Sequence, residues 1–432
     1  MDLYAKALAR AGHVNARRAF ATASDLWPTG CHERGVPRKP SEEPCIAMND
    51  SPSRDWDPCS EEVQRDQIAA YDALRRRCPV AYSDNQHWSL LRHADVMRVL
   101  EDHRSFSSVV SASHLSVPNG MDPPHHTSFR RLIDPYFAAD AMRAFEPGCR
   151  RVAREGVSAL QRGGEIELME GLAHPFALRI QCAFMGWNPA VLEPLDGWMR
   201  RSQAASASGD RAAIAKLAQE FDGYIRAILA RRRALGAAAP DDVTTRLLHE
   251  RVEGRALTDE EIASILRNWT AGELGTIAAA VGILVDYLAA RPQLQQQLRM
   301  EPVRLPAAID EILRIHAPLV ANRRVTTCPV EIGGRQIGAG ERITILWASA
   351  NRDEAVFGDP DEFLPDRDPV LNLLYGAGVH VCPGAPLARM ELQHLMEELL
   401  YATRSITPVP GRESRRAVYP ASGLVEVWVR LE

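Results

Sequence analysis

The sequence predicts a mostly α-helical fold with a minor β region, an α+β arrangement in which the two kinds of structure are segregated. Three observations predict it. From Thr127 to Met300 the pattern is mainly helical. Short β signals occur only outside that block. No strand–helix–strand alternation and no Gly-rich phosphate loop after a strand is present, so the chain shows no dinucleotide fingerprint for an NAD(P)H or flavin of its own.

In order, residues 1–60 are rich in Pro, Ser, Arg and Glu and only weakly periodic. They read as a poorly ordered N-terminal extension, followed by one domain over 61–432. Glu61–Arg77 reads as helix up to a Pro break, His87–Leu91 as a short strand and His93–Glu101 as helix. Phe106–Gly120, Ser- and Val-rich with Pro118 and Gly120, reads as a loop. Helices follow at Met142–Gln161, Phe176–Met185, Ala212–Arg233 and Glu260–Ala290. Leu305–His316 is a helix ended before Pro318. Val325–Ile332 and Gln336–Leu346 read as strands about a Gly333-Gly334 turn. Asn351–Pro369 is irregular, Pro386–Tyr401 is the last helix, and Val418–Leu431 alternates like a strand.

The 432 residues are 46% apolar and 25% charged, ordinary globular values for a core that needs no disulfides. A net charge of −5 gives no sign of a nucleic-acid binder. The most apolar long stretch, Ile262–Ala290, carries Arg267, Glu273 and Asp286, which a bilayer penalises, so no membrane span is expected. The N-terminus lacks an unbroken apolar leader. The eight cysteines form no CxxC pair and read as reduced thiols in a cytoplasmic setting. The even spacing of Cys31, Cys45 and Cys59 reads as coincidence in a loose segment.

The most informative segment is Tyr375-Gly-Ala-Gly378-Val-His380-Val-Cys382-Pro-Gly384, just before the helix that starts with Pro386. A thiol ahead of a helix N-terminus meets amide N–H groups and a dipole that favour the thiolate. Gly378 and Gly384 permit tight backbone geometry around the sulfur. Spacing alone leaves an inert cysteine in a Gly-rich turn as an equal alternative. The segment resembles the haem-binding signature of the cytochrome P450 family, F-x-x-G-x-[HR]-x-C-x-G, with Tyr375 replacing Phe. Glu311-Ile-Leu-Arg314 resembles the family's ExxR pair, and Arg367, in Phe363-Leu-Pro365-Asp-Arg367, fits its third member; read alone, Glu311 and Arg314 would be a surface ion pair. The resemblance spans roughly residues 60 to 432 and implies the cytochrome P450 fold, haem b, and Cys382 as the metal ligand.

The same resemblance implies that His126, Arg130, Arg324 and His380 bind the haem propionates, with Gly384 beside the cofactor and His125 and Arg131 as weaker candidates. In Asn268-Trp-Thr-Ala-Gly272-Glu273-Leu-Gly275-Thr276, two glycines interrupt a helix about 45 Å long, at about 1 kcal/mol each relative to Ala. The family shows [AG]-G-x-[DE]-T here. Aligned on Ala271-Gly272, Leu274 and Gly275 fall where the acid and alcohol belong. Glu273 and Thr276 are displaced by one position, a rotation of about 100°. Glu273 or Thr276, through water, is expected to replace the usual proton relay.

Residues 122–137 and 268–279 resemble a bacterial subgroup whose haem domain is followed by an FMN and [2Fe–2S] reductase. This implies NAD(P)H electrons delivered by a redox partner outside this chain. Walls at Val109–Pro118, Ser206–Asp210, Ala271–Gly275 and Leu319–Ala321 imply a small apolar or aromatic substrate and its monooxygenation by dioxygen, as hydroxylation or O-dealkylation. A peroxide-driven peroxygenase and a non-catalytic haem sensor or carrier stay open.

Overall fold

The structure is a computed structural model and describes residues 54–432 apart from 112–114 and 162. Of the extension expected over residues 1–60, residues 1–53, with Cys31 and Cys45, lie outside the described residues. Residues 54–60, read from sequence as part of that extension, pack onto the body. Trp56 is buried edge-on against Tyr71, and the Asp55 carboxylate accepts the Tyr82 N–H at 2.8 Å. The ordered body therefore reaches back at least to Arg54.

The expected first helix is two: α1 (Glu61–Arg65) and α2 (Gln67–Arg77). Asp66 takes an extended backbone between them, and its carboxylate accepts the N–H groups of Ile68 and Ala69. Such local bonding lets Asp start a helix where it would otherwise weaken one. β1 (Val80–Ser83) and β2 (His87–Leu90) form a hairpin, α3 (His93–Glu101) follows, and β3 (Phe106–Ser107) is a short strand inside the predicted loop.

The helical body comprises α4 (His125–Ile133), α5 (Ala139–Ser158), β4 (Glu165–Glu167), α6 (His174–Met185), α7 (Leu192–Ser208), α8 (Arg211–Leu235), α9 (Val243–Leu247), the hairpin β5 (Arg251–Val252) and β6 (Arg255–Ala256), α10 (Asp259–Ala289), α11 (Pro292–Met300) and α12 (Leu305–His316). Thr258 and Glu261 form a capping box that fixes the start of α10. This helix is long and apolar enough to cross a membrane, but 67% of its most apolar window is buried inside the protein. It is the core helix, and α5, α6 and α12 belong to the same apolar cluster.

The main sheet has the order β1–β2–β10–β7–β3, where β7 is Ala321–Thr326 and β10 is Arg342–Leu346. β10 runs parallel to β2 and antiparallel to β7. Each strand predicted over 325–346 is split. β8 (Val330–Ile332) and β9 (Arg335–Ile337) make a separate hairpin, with positive φ at both Gly333 and Gly334 as a tight primed turn requires. Two short helices, α13 (Trp347–Ala350) and α14 (Glu354–Phe357), precede α15 (Ala385–Ala402). β11 (Ile406–Pro408), β14 (Trp428–Leu431) and β4 form a second sheet, and β12 (Arg415–Arg416) pairs with β13 (Leu424–Glu426).

Candidate active site

The loop before α15 holds Cys382 from both sides. The Cys382 N–H donates to the Tyr375 carbonyl at 2.9 Å. The backbone N–H groups of Gly384 and Ala385 bond to its sulfur and pull the thiol pKa down, against the larger upward push of burial. Residue Cys382 as a whole is nevertheless exposed. Gly378 has φ 68°, and a Cβ there would strike the Leu100 carbonyl at the end of α3. Gly384 differs: its φ is −79°, and a Cβ would make ordinary contacts with the Cys382 sulfur and Phe137, each at 3.8 Å. Gly384 thus serves the site through its N–H.

Behind this loop, Arg314 and Glu311 on α12 form a two-pronged pair at 2.8 and 2.9 Å. Both are buried, Arg314 completely, so the surface ion pair that the spacing alone suggested is overturned. Arg367 adds a third bond to Glu311 at 3.0 Å, as the resemblance implied. Arg314 also donates to the carbonyls of Asn351 and Pro360, which ties α12 to the irregular stretch. Asn351 accepts the Leu373 N–H at 2.7 Å and so carries the tie forward to the cysteine loop. The sequence reading missed Asn351, which has no pattern around it.

Of the expected propionate ligands, His126, Arg324 and His380 come together, and Arg130, whose charge reaches both histidines, is also engaged by the cysteine loop. The rings of His126 and His380 lie 4.1 Å apart. His126 is buried, and neither ring nitrogen has a partner among the described residues; burial and the nearby Arg130 charge lower it to about 4. Burial and His126 lower His380 to about 3, and its Nε2 is hydrogen-bonded to Ser108 Oγ at 2.9 Å. Arg324 is 9% exposed and forms no ion pair among the described residues; its recorded bond is to the Arg323 carbonyl. Arg130 instead bonds Asp134 and donates to the carbonyls of Val379 and Val381, bracing the cysteine loop. His125 and Arg131 are exposed; Arg131 and His103 line a separate surface hollow of about 490 Å³ that holds none of these three.

The middle of α10 is anomalous for a core helix. Ala271, Gly272 and Gly275 are exposed while Thr270, Leu274 and Ile277 are buried. A Cβ added at Gly272 or Gly275 would meet nothing within 4 Å, so open space borders the helix at its centre. Thr276 is half-buried, and its hydroxyl donates to the Gly272 carbonyl at 2.6 Å. The displacement expected for Thr276 therefore does not turn it away: it shares the face of Gly272 one turn earlier. Leu274 points into the core. Glu273 turns instead to Glu391 on α15, a residue the sequence reading missed. The signal was there, since Glu391 lies one turn from both Leu387 and Leu395, in line with the buried stripe of its helix.

Among the expected pocket walls, Val109, Leu115 and Leu319 are exposed apolar side chains, and Val117 is buried. Loop 115–117 is pinned onto α10: Ser264 and Arg267 donate to the Leu115 carbonyl, and Asn268 donates to the Val117 carbonyl. Asp210 is used in capping α8.

These residues would fit a flat dianionic cofactor whose metal is held by a thiolate. The fit rests on His126, which has no partner among the described residues, on Arg324, which has no ion pair among them, on the open flank of α10 and on the amide-held Cys382; no cluster of metal-ligating side chains occurs among the described residues. The cytochrome P450 family model matches residues 208–408. Cyclomarin C epoxidase of Salinispora arenicola is 31% identical over 345 residues, 75% of this chain and 85% of that protein. Erythromycin C-12 hydroxylase of Saccharopolyspora erythraea is 32% identical over 343 residues, 76% and 84% of the two chains. Among solved structures, open cytochrome P450 EryK of S. erythraea superposes with a TM-score of 0.77 at 29% identity, covering 84% of this chain and 95% of that one. Testosterone-bound CYP109E1 of Bacillus megaterium gives 0.74 at 28%, covering 84% and 99%. Geometry and likeness agree, and this chain belongs to the cytochrome P450 family.

Proposed function

We propose that this chain is a haem-thiolate monooxygenase that inserts one atom of dioxygen into a small apolar or aromatic molecule held beside the centre of α10. The observation that carries the reading is the Cys382 sulfur held by two amides, on an exposed residue, in a protein whose core helix is bared at Ala271, Gly272 and Gly275. Haem, when bound, supplies oxygen activation and accepts electrons one at a time. Cys382 would hold the iron through its sulfur, and the Gly384 and Ala385 N–H groups favour its charged form. Arg324, His126 and His380 would hold the propionates, which would give His126 and Arg324 partners that they lack among the described residues. Val109, Leu115 and Leu319 offer the substrate apolar surface. Thr276 holds a hydroxyl at the edge of the open space, with Glu273 beside it. The named relatives act on cyclomarin C and erythromycin, which supports C–H or C=C oxidation without fixing this chain's substrate.

Electrons come from a redox partner or reductase outside these residues. The likeness of 122–137 and 268–279 to reductase-fused haem domains supports an FMN and [2Fe–2S] donor using NAD(P)H. To test the reading, a compound library is screened for the spectral shift caused by loss of iron-bound water, and each hit is turned over under labelled dioxygen with a surrogate reductase. One labelled oxygen atom in the product is expected. Product formed with hydrogen peroxide but with no electron donor would replace this reading by a peroxygenase.

A further inference from the structure

Two carboxyl groups meet in the core next to the open flank of α10. Glu391 is fully buried, and neither of its oxygens accepts a hydrogen bond from an N–H or O–H group among the described residues. Glu273 lies within hydrogen-bonding reach of it, and its Oε1 is equally sealed. Burial pushes both carboxyls above the usual carboxylate range. The titratable groups around them are Cys149 from α5, which faces both, and Tyr375 and Cys382, on which Glu273 acts. All are acids, so no cation among the described residues offsets a charge here. Two ionised carboxylates in contact would stay uncompensated, whereas one proton between them turns one group into a donor and satisfies the other.

We propose that Glu273 and Glu391 form a single acid pair that retains one shared proton and serves as the proton reserve of the space beside α10. Residue Glu273 is partly exposed while its Oε1 and both Glu391 oxygens are buried, so Glu273 is the more open end of the pair, on the helix that borders the cavity. Thr276, whose hydroxyl lies 3.4 Å from the Glu273 carbonyl oxygen, stands next along the helix. When the pair gives its proton to a base in the cavity, both carboxyls are left ionised. That unfavourable state draws the next proton from solvent and restores the pair. The use of the reserve rests on the monooxygenase reading; the existence of the pair does not.

Infrared difference spectra of the purified holoprotein in H2O and D2O test the pair. Wild type is expected to show a protonated-carboxyl C=O band at about neutral pH, far above the unperturbed carboxylate range, that shifts in D2O. Glu273→Gln and Glu391→Gln should each abolish it. A wild-type protein without the band, or a band that survives both substitutions, overturns the proposal. If Glu391→Gln does not accumulate, Glu273→Gln and Glu273→Ala, at the cavity end, decide. In turnover, Glu273→Gln should lower product per NAD(P)H by about tenfold or more with an unchanged substrate-binding spectrum. Full coupling despite loss of the band overturns the role as reserve. A holoprotein without a thiolate-type carbonyl spectrum would instead sink the monooxygenase reading and leave the infrared result standing.

Discussion

Among the described residues, Arg324 is a buried cation with no ion-pair contact, only the more distant Asp122 charge, and His126 is a buried imidazole whose two nitrogens have no partner. Such groups persist when a ligand satisfies them. A charge-assisted hydrogen bond contributes about 1.5–3 kcal/mol, so Arg324→Leu should weaken haem retention by roughly ten- to a hundredfold, measured by haem transfer to apomyoglobin. Unchanged transfer would remove Arg324 from the propionate set. At this scale the sequence was most legible where chemistry dictates the residue. Cys382, Glu311, Arg314 and Arg367 stand where their motifs implied. It was least legible where direction matters. Counting positions along α10 put Thr276 out of register, yet its bond to the Gly272 carbonyl keeps it on the open face. Glu391 escaped notice because its partner lies on another helix 118 residues earlier, at Glu273.

Among elements, Arg314 is the most deeply buried tie between α12 and the irregular stretch, beside the bond from Arg367 to Glu311 and the bond from Asn372 to the Asp310 carbonyl. Arg314 is fully buried, bonds a carboxylate and three carbonyls, and lies 4.7 Å above the Phe357 ring. Arg314→Ala should cost about 3–5 kcal/mol, because it strands buried polar partners; the urea midpoint of the variant checks this, with loss of haem binding alongside. The α5–α15 contact has its own pH signature. The His394 hydrogen bond, helped by Gln393 and Arg150 against burial, holds the Glu397 carboxyl down to about 2. A folded pKa below the unfolded value gives stability that is complete above about pH 4.3 and lost as pH falls through about 2. Glu397→Gln should therefore be less stable than wild type at neutral pH by about 1 kcal/mol, after discounting for solvent. The gap should close between pH 4 and 2 in denaturation series; a gap independent of pH would point to packing instead. Helices were readable because their apolar period is long, and α12 matches its predicted bounds. The breaks inside predicted elements, at Asp66 and between β7 and β8, were not, since one capping side chain or one change of strand partner decides them.

For the whole molecule, the cofactor is part of the fold. The helical body and the sheet region meet the cysteine loop through groups that await an anion. Binding that favours the native state stabilises by about 4 kcal/mol at a thousandfold excess over Kd. Removing haem should lower the melting temperature by several degrees and flatten the transition, as calorimetry of holo- and apoprotein would show. An apoprotein that melts with the holoprotein would mean that the cavity is rigid without its ligand. The separation of helices from strands was legible at this scale, because period and turn chemistry report it directly. The bared centre of α10 was not, because nothing in an apolar helical run says which stretch faces a void.

That bared centre sets up a bargain that selection can renegotiate. Gly272 and Gly275 loosen a helix that alanine would tighten by up to about 1 kcal/mol per position, and the backbone around either would tolerate the methyl. Gly272→Ala and Gly275→Ala should therefore raise the urea midpoint of the apoprotein while narrowing the range of ligands that give a binding spectrum. The chain carries its breadth of accommodation as a standing debt in robustness, and a lineage that came to specialise on a slimmer compound could recover that robustness one methyl at a time.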